Sequence, residues 1–212
     1  MPDELRQYYN SSGVVTLSES RDDALFQVIS SSLKLQNSVH IFNQSTIISM
    51  FLSDVEILSS VIESIVSNSA NFRITSSTFI IRNSALDDII SSSGSELFFV
   101  NLDSSIIIDT CNFTQSTSSF LISRNSNVTI KSLTMHNISF DSTMLQISQS
   151  VNIRVDQLDI SQVSIMNNRP IFLISDSSNV QLAGLNISNQ DDLVLSIVSS
   201  TIDMINDFTI TN

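Results

Sequence analysis

Asn127-Val-Thr-Ile-Lys-Ser-Leu-Thr-Met-His-Asn-Ile-Ser-Phe140 decides how this chain is read. Val128 and Ile130 alternate with polar neighbours, Lys131 and Ser132 interrupt, and Leu133 and Met135 alternate again. A period of two marks a strand with one buried face, so the stretch reads as two short strands meeting at a polar corner. Working outward, the first pair recurs as Leu33-x-Leu35, Val55-x-Ile57, Phe79-x-Ile81, Ile106-x-Ile108, Val151-x-Ile153, Val180-x-Leu182 and Ile202-x-Met204. The interval averages about 24 residues, inside the range that marks solenoids and arrays.

A second pair follows most of the first ones: Val39-x-Ile41, Cys111-x-Phe113, Leu158-x-Ile160, Leu185-x-Ile187 and Phe208-x-Ile210 join Leu133-x-Met135. A third precedes them, as Phe72-x-Ile74, Phe98-x-Val100, Phe120-x-Ile122, Leu145-x-Ile147, Phe172-x-Ile174 and Leu195-x-Ile197. Three strands per coil, joined by Ser, Asn and Asp, predict an all-β, right-handed parallel β-helix of about eight coils. Residues 1–23 are expected to be a lead-in and 24–212 the solenoid, part of a longer chain. The longer intervals predict insertions at Asp87 to Glu96 and Val163 to Pro170. A leucine-rich repeat competes through Ile130-x-x-Leu133-x-Met135 and Leu182-x-x-Leu185-x-Ile187, but Ile138 and Gln190 stand where its turn asparagine belongs.

Composition agrees with a solenoid whose corners are built without glycine. The 212 residues include only 3 Gly and 2 Pro, while Ser and Thr supply about a quarter of the chain, and Ser, Asn and Asp can turn a backbone by bonding to it. A net charge of −12 with nine basic residues argues against nucleic acid as a partner. No run of apolar residues is long enough for a membrane-spanning helix, and the opening residues have no apolar core of a signal peptide.

Asn127 to Phe140 and Asn179-Val-Gln-Leu-Ala-Gly-Leu-Asn-Ile-Ser188 resemble pectin-lyase-like β-helix repeats. The closest likeness is to the Asn/Ser/Ile-rich versions in very long surface and secreted proteins of single-celled eukaryotes. The resemblance covers about residues 24 to 212. It implies a fold that carries polysaccharide lyases and hydrolases, adhesins and plain scaffolds alike, and so leaves function to the site.

The chemistry-bearing residues are few. Cys111 is the single cysteine, so an intrachain disulfide is excluded, and its inward position predicts a packed small side chain. His40 and His136 fall in different columns of different coils, too far apart to share a metal. Asp22-Asp23, Asp87-Asp88 and Asp191-Asp192 read as solvated corners, and neither a metal nor a cofactor is expected. Sequons at Asn10, Asn43, Asn112, Asn127, Asn137 and Asn186 are about as frequent as chance predicts for this composition. The last five are the glycosylation candidates.

The residue after each first-strand pair forms a column: Gln36, Leu58, Arg82, Asp109, Lys131, Arg154, Ala183 and Ile205. Arg82, Asp109, Lys131 and Arg154 are therefore the candidate glycan-binding residues, with an Arg orienting a carboxylate and Asp109 serving as acid/base. The same line also reads as a charge ladder. Ile80 and Ile107 face outward as a candidate contact patch. The leading expectation is a non-enzymatic structural or adhesive module at the cell surface or outside the cell, stacking end to end or against neighbouring subunits. The alternative is a polysaccharide lyase, hydrolase or acidic-glycan binder.

Overall fold

The computed structural model describes residues 9–17, 26–37, 39–41, 47–67, 70–91, 96–116, 119–140, 143–150, 152–165, 169–177, 179–188 and 195–211. Strand β1 (Tyr9–Leu17) precedes β2 (Phe26–Gln36) and β3 (Val39–Ile41). One coil then follows another: β4 (Ile48–Phe51), β5 (Asp54–Leu58) and β6 (Val61–Ser67), then β7 (Phe72–Thr75), β8 (Thr78–Arg82) and β9 (Ala85–Ser91). Next come β10 (Glu96–Asn101) with the long, bent β11 (Ser105–Ser116), and β12 (Ser119–Arg124) with β13 (Asn127–Phe140). The last coils are β14 (Leu145–Ser148), β15 (Ile153–Val155) and β16 (Leu158–Ile165), then β17 (Phe172–Ser175) and β18 (Val180–Ser188), then β19 (Leu195–Val198) and β20 (Ile202–Thr211).

From β2 onward each strand pairs in parallel with its equivalent one coil away, which makes the chain an all-β parallel solenoid. On the first face Phe26, Ile48, Phe72, Phe98, Leu121, Leu145, Phe172 and Leu195 stand in register. On the second the column is Leu33, Val55, Phe79, Ile106, Val128, Ile153, Val180 and Ile202. On the third it is His40, Ile62, Leu86, Phe113, Met135, Ile160, Ile187 and Ile210. The inward residues form one continuous apolar core. Within it Phe72 stacks on Phe98 at 5.0 Å between ring centres, and Phe98 meets Phe120 edge-on at 5.4 Å.

The corners explain the serine content. Ser31, Ser53, Ser77, Ser104, Ser126, Ser150, Ser177 and Ser200 close the first face, one per coil. Ser77 Oγ donates to the carbonyl of Thr75 at 2.6 Å and accepts the backbone N–H of Ser53 at 3.1 Å; the N–H of Ser77 donates in turn to Ser104 Oγ at 3.2 Å. The same exchange links Ser150 to Ser177 and Ser177 to Ser200. The residue just before each ladder serine has positive φ, as at Ser30, Leu52, Ser76, Asp103, Asn125, Gln149, Asp176 and Ser199. Side-chain bonds to the backbone hold this left-handed geometry where other folds use glycine. Gly184 is needed for a different reason: at φ +57° a Cβ there would lie 2.5 Å from the carbonyl oxygen of Asp156.

Four of the expected pairs lie in another register. Leu121 and Ser123, not Phe120 and Ile122, continue the first-face columns, while Phe120 is buried at the preceding corner beside Met144. The apolar run Phe120-Leu121-Ile122 offers two phases, and pairing to Met144 and Leu145 selects one. On the second face Ile153 and Val155 replace Val151 and Ile153; Val151 lies outside the described residues. Ile205, not Met204, faces Leu182, because a bulge follows the Val180 pair. Val39 and Ile41 align with Val61 and Glu63, so the buried Ile62 is matched by His40. Val163 to Ile165, expected to open an insertion, belong instead to β16. Residues 9–17 of the lead-in form a strand, which runs antiparallel along β2 over both of its faces and bends at Gly13.

Candidate functional site: an outward charge ladder

The second face turns its side chains outward through two adjacent columns. The column following the inward pair runs Gln36, Leu58, Arg82 and Asp109, with Lys131 at the register shift opposite Asp109. Arg154 is not in this line. Because Ile153 and Val155 are the inward pair, Arg154 lies between them, in register with Thr129 and Gln181. Asp156 takes the position expected for Arg154. The two touch directly, Arg154 Nε donating to Asp156 Oδ1 at 2.7 Å, and this partner raises the guanidinium pKa further.

The other three candidate residues meet, together with two that sequence reasoning left out of the site. Lys34 Nζ lies 3.1 Å from Glu56 Oε2, and Arg82 Nη1 lies 3.7 Å from Glu56 Oε1. Arg82 Nε is 3.8 Å and Lys131 Nζ 3.7 Å from the same oxygen, Asp109 Oδ2. Lys34, Glu56, Arg82, Asp109 and Lys131 thus alternate in sign over five coils. Pairing on an exposed sheet face contributes little stability, about 0 to 1 kcal/mol per contact. What it does chemically is occupy each cation with a carboxylate. The alternation was legible in the residue types; the part of Lys34 and Glu56 was not, since they belong to the neighbouring column.

Ile80 and Ile107 are neighbours in that neighbouring column and are half-buried. Ile80 lines a shallow groove of about 410 Å³ with Lys34, Asp54, Glu56 and Thr78. Among the sequons, Asn112, Asn137 and Asn186 are exposed on or beside the third face, Asn137 at a left-handed corner with φ 55°. Asn127 is half-buried and its Oδ1 accepts a bond from Asn152, whose own Oδ1 accepts one from Asn179. Asn43 and the pairs Asp22-Asp23 and Asp191-Asp192 lie outside the described residues, as does the Asn10 side chain.

Cys111 is buried where Ser84 and Ser60 stand one and two coils earlier. Its Sγ lies 3.5 Å from the carbonyl oxygen of Asp109, the place the serine hydroxyls take, and burial pushes the thiol pKa up to about 11. That is a protonated, unreactive thiol at neutral pH. His136 Nδ1 is 2.8 Å from Ser161 Oγ on the third face. In the same outward column Thr114 Oγ1 donates to Asp87 Oδ1 at 2.5 Å. Among the described residues no group of three or more metal-binding side chains converges, and no helix is long and apolar enough to cross a membrane.

Comparison with known protein families, with curated proteins and with solved structures finds no match to this chain.

Proposed function

We propose that the solenoid is a structural or adhesive module that works outside the cell or on its surface, and that it stacks end to end through β19 and β20. The supporting observation is the state of the last described coil, whose columns call for a further layer of β-structure from the same chain or from another. Leu195, Ile197 and Ile202 are only partly buried, whereas Phe172, Ile174 and Val180, one coil earlier in the same columns, are fully covered. A further layer of β-structure laid on this coil would complete the columns and pair its open backbone edge. The charge ladder supports the same reading over that of an acidic-glycan site, because Arg82 and Lys131 already face carboxylates.

Sedimentation velocity across a range of concentrations tests the stacking. Oligomers that lengthen with concentration and disappear on Ile197→Lys are expected; a monodisperse monomer at all concentrations sinks the proposal. Replacing Arg82 and Lys131 together by Ser should leave assembly intact, and a loss of binding to an acidic polysaccharide in that variant would favour the glycan reading instead. The extracellular placement is tested separately by peptide mapping of the natively purified protein. Glycan on Asn112, Asn137 or Asn186 is the expected result, and bare asparagines at all three remove the case.

A further inference from the structure

Four of the large exposed apolar side chains gather on one edge of the rod, where the first face turns into the second. Ile29 and Phe51 are paired neighbours in adjacent coils and are 49% and 46% exposed; Leu52 and Leu102 are 55% and 54% exposed. Leu52 and Leu102 follow Phe51 and Asn101, which align through Thr75, so both open the same corner two coils apart with Ser76 between; the coil of Leu102 has one residue more, Asp103, before its ladder serine Ser104. At about 4.8 Å per coil that separation is about 10 Å.

A leucine is the wrong residue for this corner on every local ground. The position requires a left-handed backbone, with φ of 50° at Leu52 and 53° at Leu102. At the position of Leu52 other coils have Ser30, Ser76, Asp103, Asn125, Gln149, Asp176 or Ser199, which suit it better, and Leu102 is an added left-handed residue just ahead of Asp103. The leucine side chains find no core to enter, and they leave apolar surface in water. An outlier that neither packing nor backbone preference explains points to a contact made elsewhere.

Beside Leu52 runs a groove of about 280 Å³, lined also by Ser76, Thr78, Ser105, Asp54 and Asp103. Both aspartates are exposed, and among the described residues neither forms an ion pair. We infer that this edge docks a segment of a different protein that presents apolar side chains next to Lys or Arg. Its apolar groups cover Phe51, Leu52 and Leu102, and its cations meet Asp54 and Asp103. A second copy of the chain docked by this same edge is a poor occupant, because it would set Asp54 and Asp103 against the same carboxylates. The edge is far from the β19 and β20 end and does not depend on stacking.

The test uses the full chain and a short fluorescent peptide of alternating leucine and lysine, read by anisotropy, with a leucine and glutamate peptide as its counterpart. The cationic peptide should bind and the anionic one should not. Leu52→Ser with Leu102→Ser should weaken binding at least tenfold, as should Asp54→Asn with Asp103→Asn. Asp176→Asn, which removes a charge from the same corner three coils beyond Leu102, should change nothing. The serine variants keep the melting temperature or raise it, since Ser30, Ser76 and Ser199 fill the position of Leu52 already and Leu102→Ser removes only exposed apolar surface, so weaker binding cannot be ascribed to unfolding. Unchanged affinity in the serine variants overturns the inference. So does an equal loss on Asp176→Asn, which would mean general charge attraction, and so does self-association that the serine variants abolish, which would make the edge a contact between copies.

Discussion

Asn71 has no exposed surface and stands at the corner position that Ile47 and Leu97 occupy one coil to either side. Neither its Oδ1 nor its Nδ2 has a hydrogen-bond partner among the described residues. An unsatisfied buried amide costs about 1 to 3 kcal/mol, so Asn71→Leu should stabilise the fold by roughly that amount in urea denaturation. A lower midpoint would show that the amide is satisfied after all. Cys111 gives a second residue-level expectation. Its thiol pKa rises to about 11 on folding from an ordinary 9.0, so the folded state favours the neutral thiol. The stability this contributes is whole below pH 9 and is lost as pH climbs towards 11. Cys111→Ser, which copies Ser60 and Ser84, should fold normally and lose less stability between those two pH values than the parent. Glu96 works in the same sense at acid pH: burial raises its pKa against the pull of Arg73 and Arg124. The fold is therefore relieved when Glu96 is protonated, and Glu96→Gln should stabilise at pH 7 and make no difference well below pH 4.

At the scale of the element, the unit that repeats is a strand followed by a left-handed residue and a buried hydroxyl. Removing one hydroxyl from the ladder breaks two bonds at once. Ser77→Ala takes away the acceptor for Ser53 N–H and the donor to Thr75 O, both in a buried corner. A loss of about 1 to 3 kcal/mol is expected from the stranded N–H, measured by thermal or urea unfolding, against at most about 0.5 kcal/mol for Ser49→Ala on the strand exterior. Equal effects at the two sites would mean that the ladder is incidental. The ion ladder is an element of another kind. Asp109→Asn takes the carboxylate from Lys131 and leaves Arg82 with Glu56 alone on a partly solvated face, so stability should fall by no more than about 1 kcal/mol and the difference should vanish in molar salt.

At the scale of the whole molecule, the stack is a one-dimensional object in which each coil contacts its neighbours. Cutting the chain after Ser188, which removes β19 and β20, should lower the melting temperature by a few degrees while keeping the far-ultraviolet spectrum of β-structure; complete unfolding would show coupling beyond nearest neighbours. The spectrum of the parent should show no helix. Much of this was legible in the sequence. Alternation of period two at intervals of about 24 residues identified three-strand coils, because a strand with one buried face must alternate and a stack must repeat. The scarcity of glycine among Ser, Asn and Asp identified the corners. Register was the part that local pattern could not supply. Phe120-Leu121-Ile122 and Val151-x-Ile153-x-Val155 each accept two phases with equal alternation, and only pairing to Leu145 and to Val128 chooses between them. The second choice moved Arg154 out of the charged line, while pairing of earlier coils brought Lys34 and Glu56 into it and set Leu52 and Leu102 on one edge. The sequence by itself determined which kind of structure forms, since one-sided burial is written in each strand; the tertiary structure decided which side chains share a column, since a column is made of residues that are strangers along the chain and meet only when the coils lock.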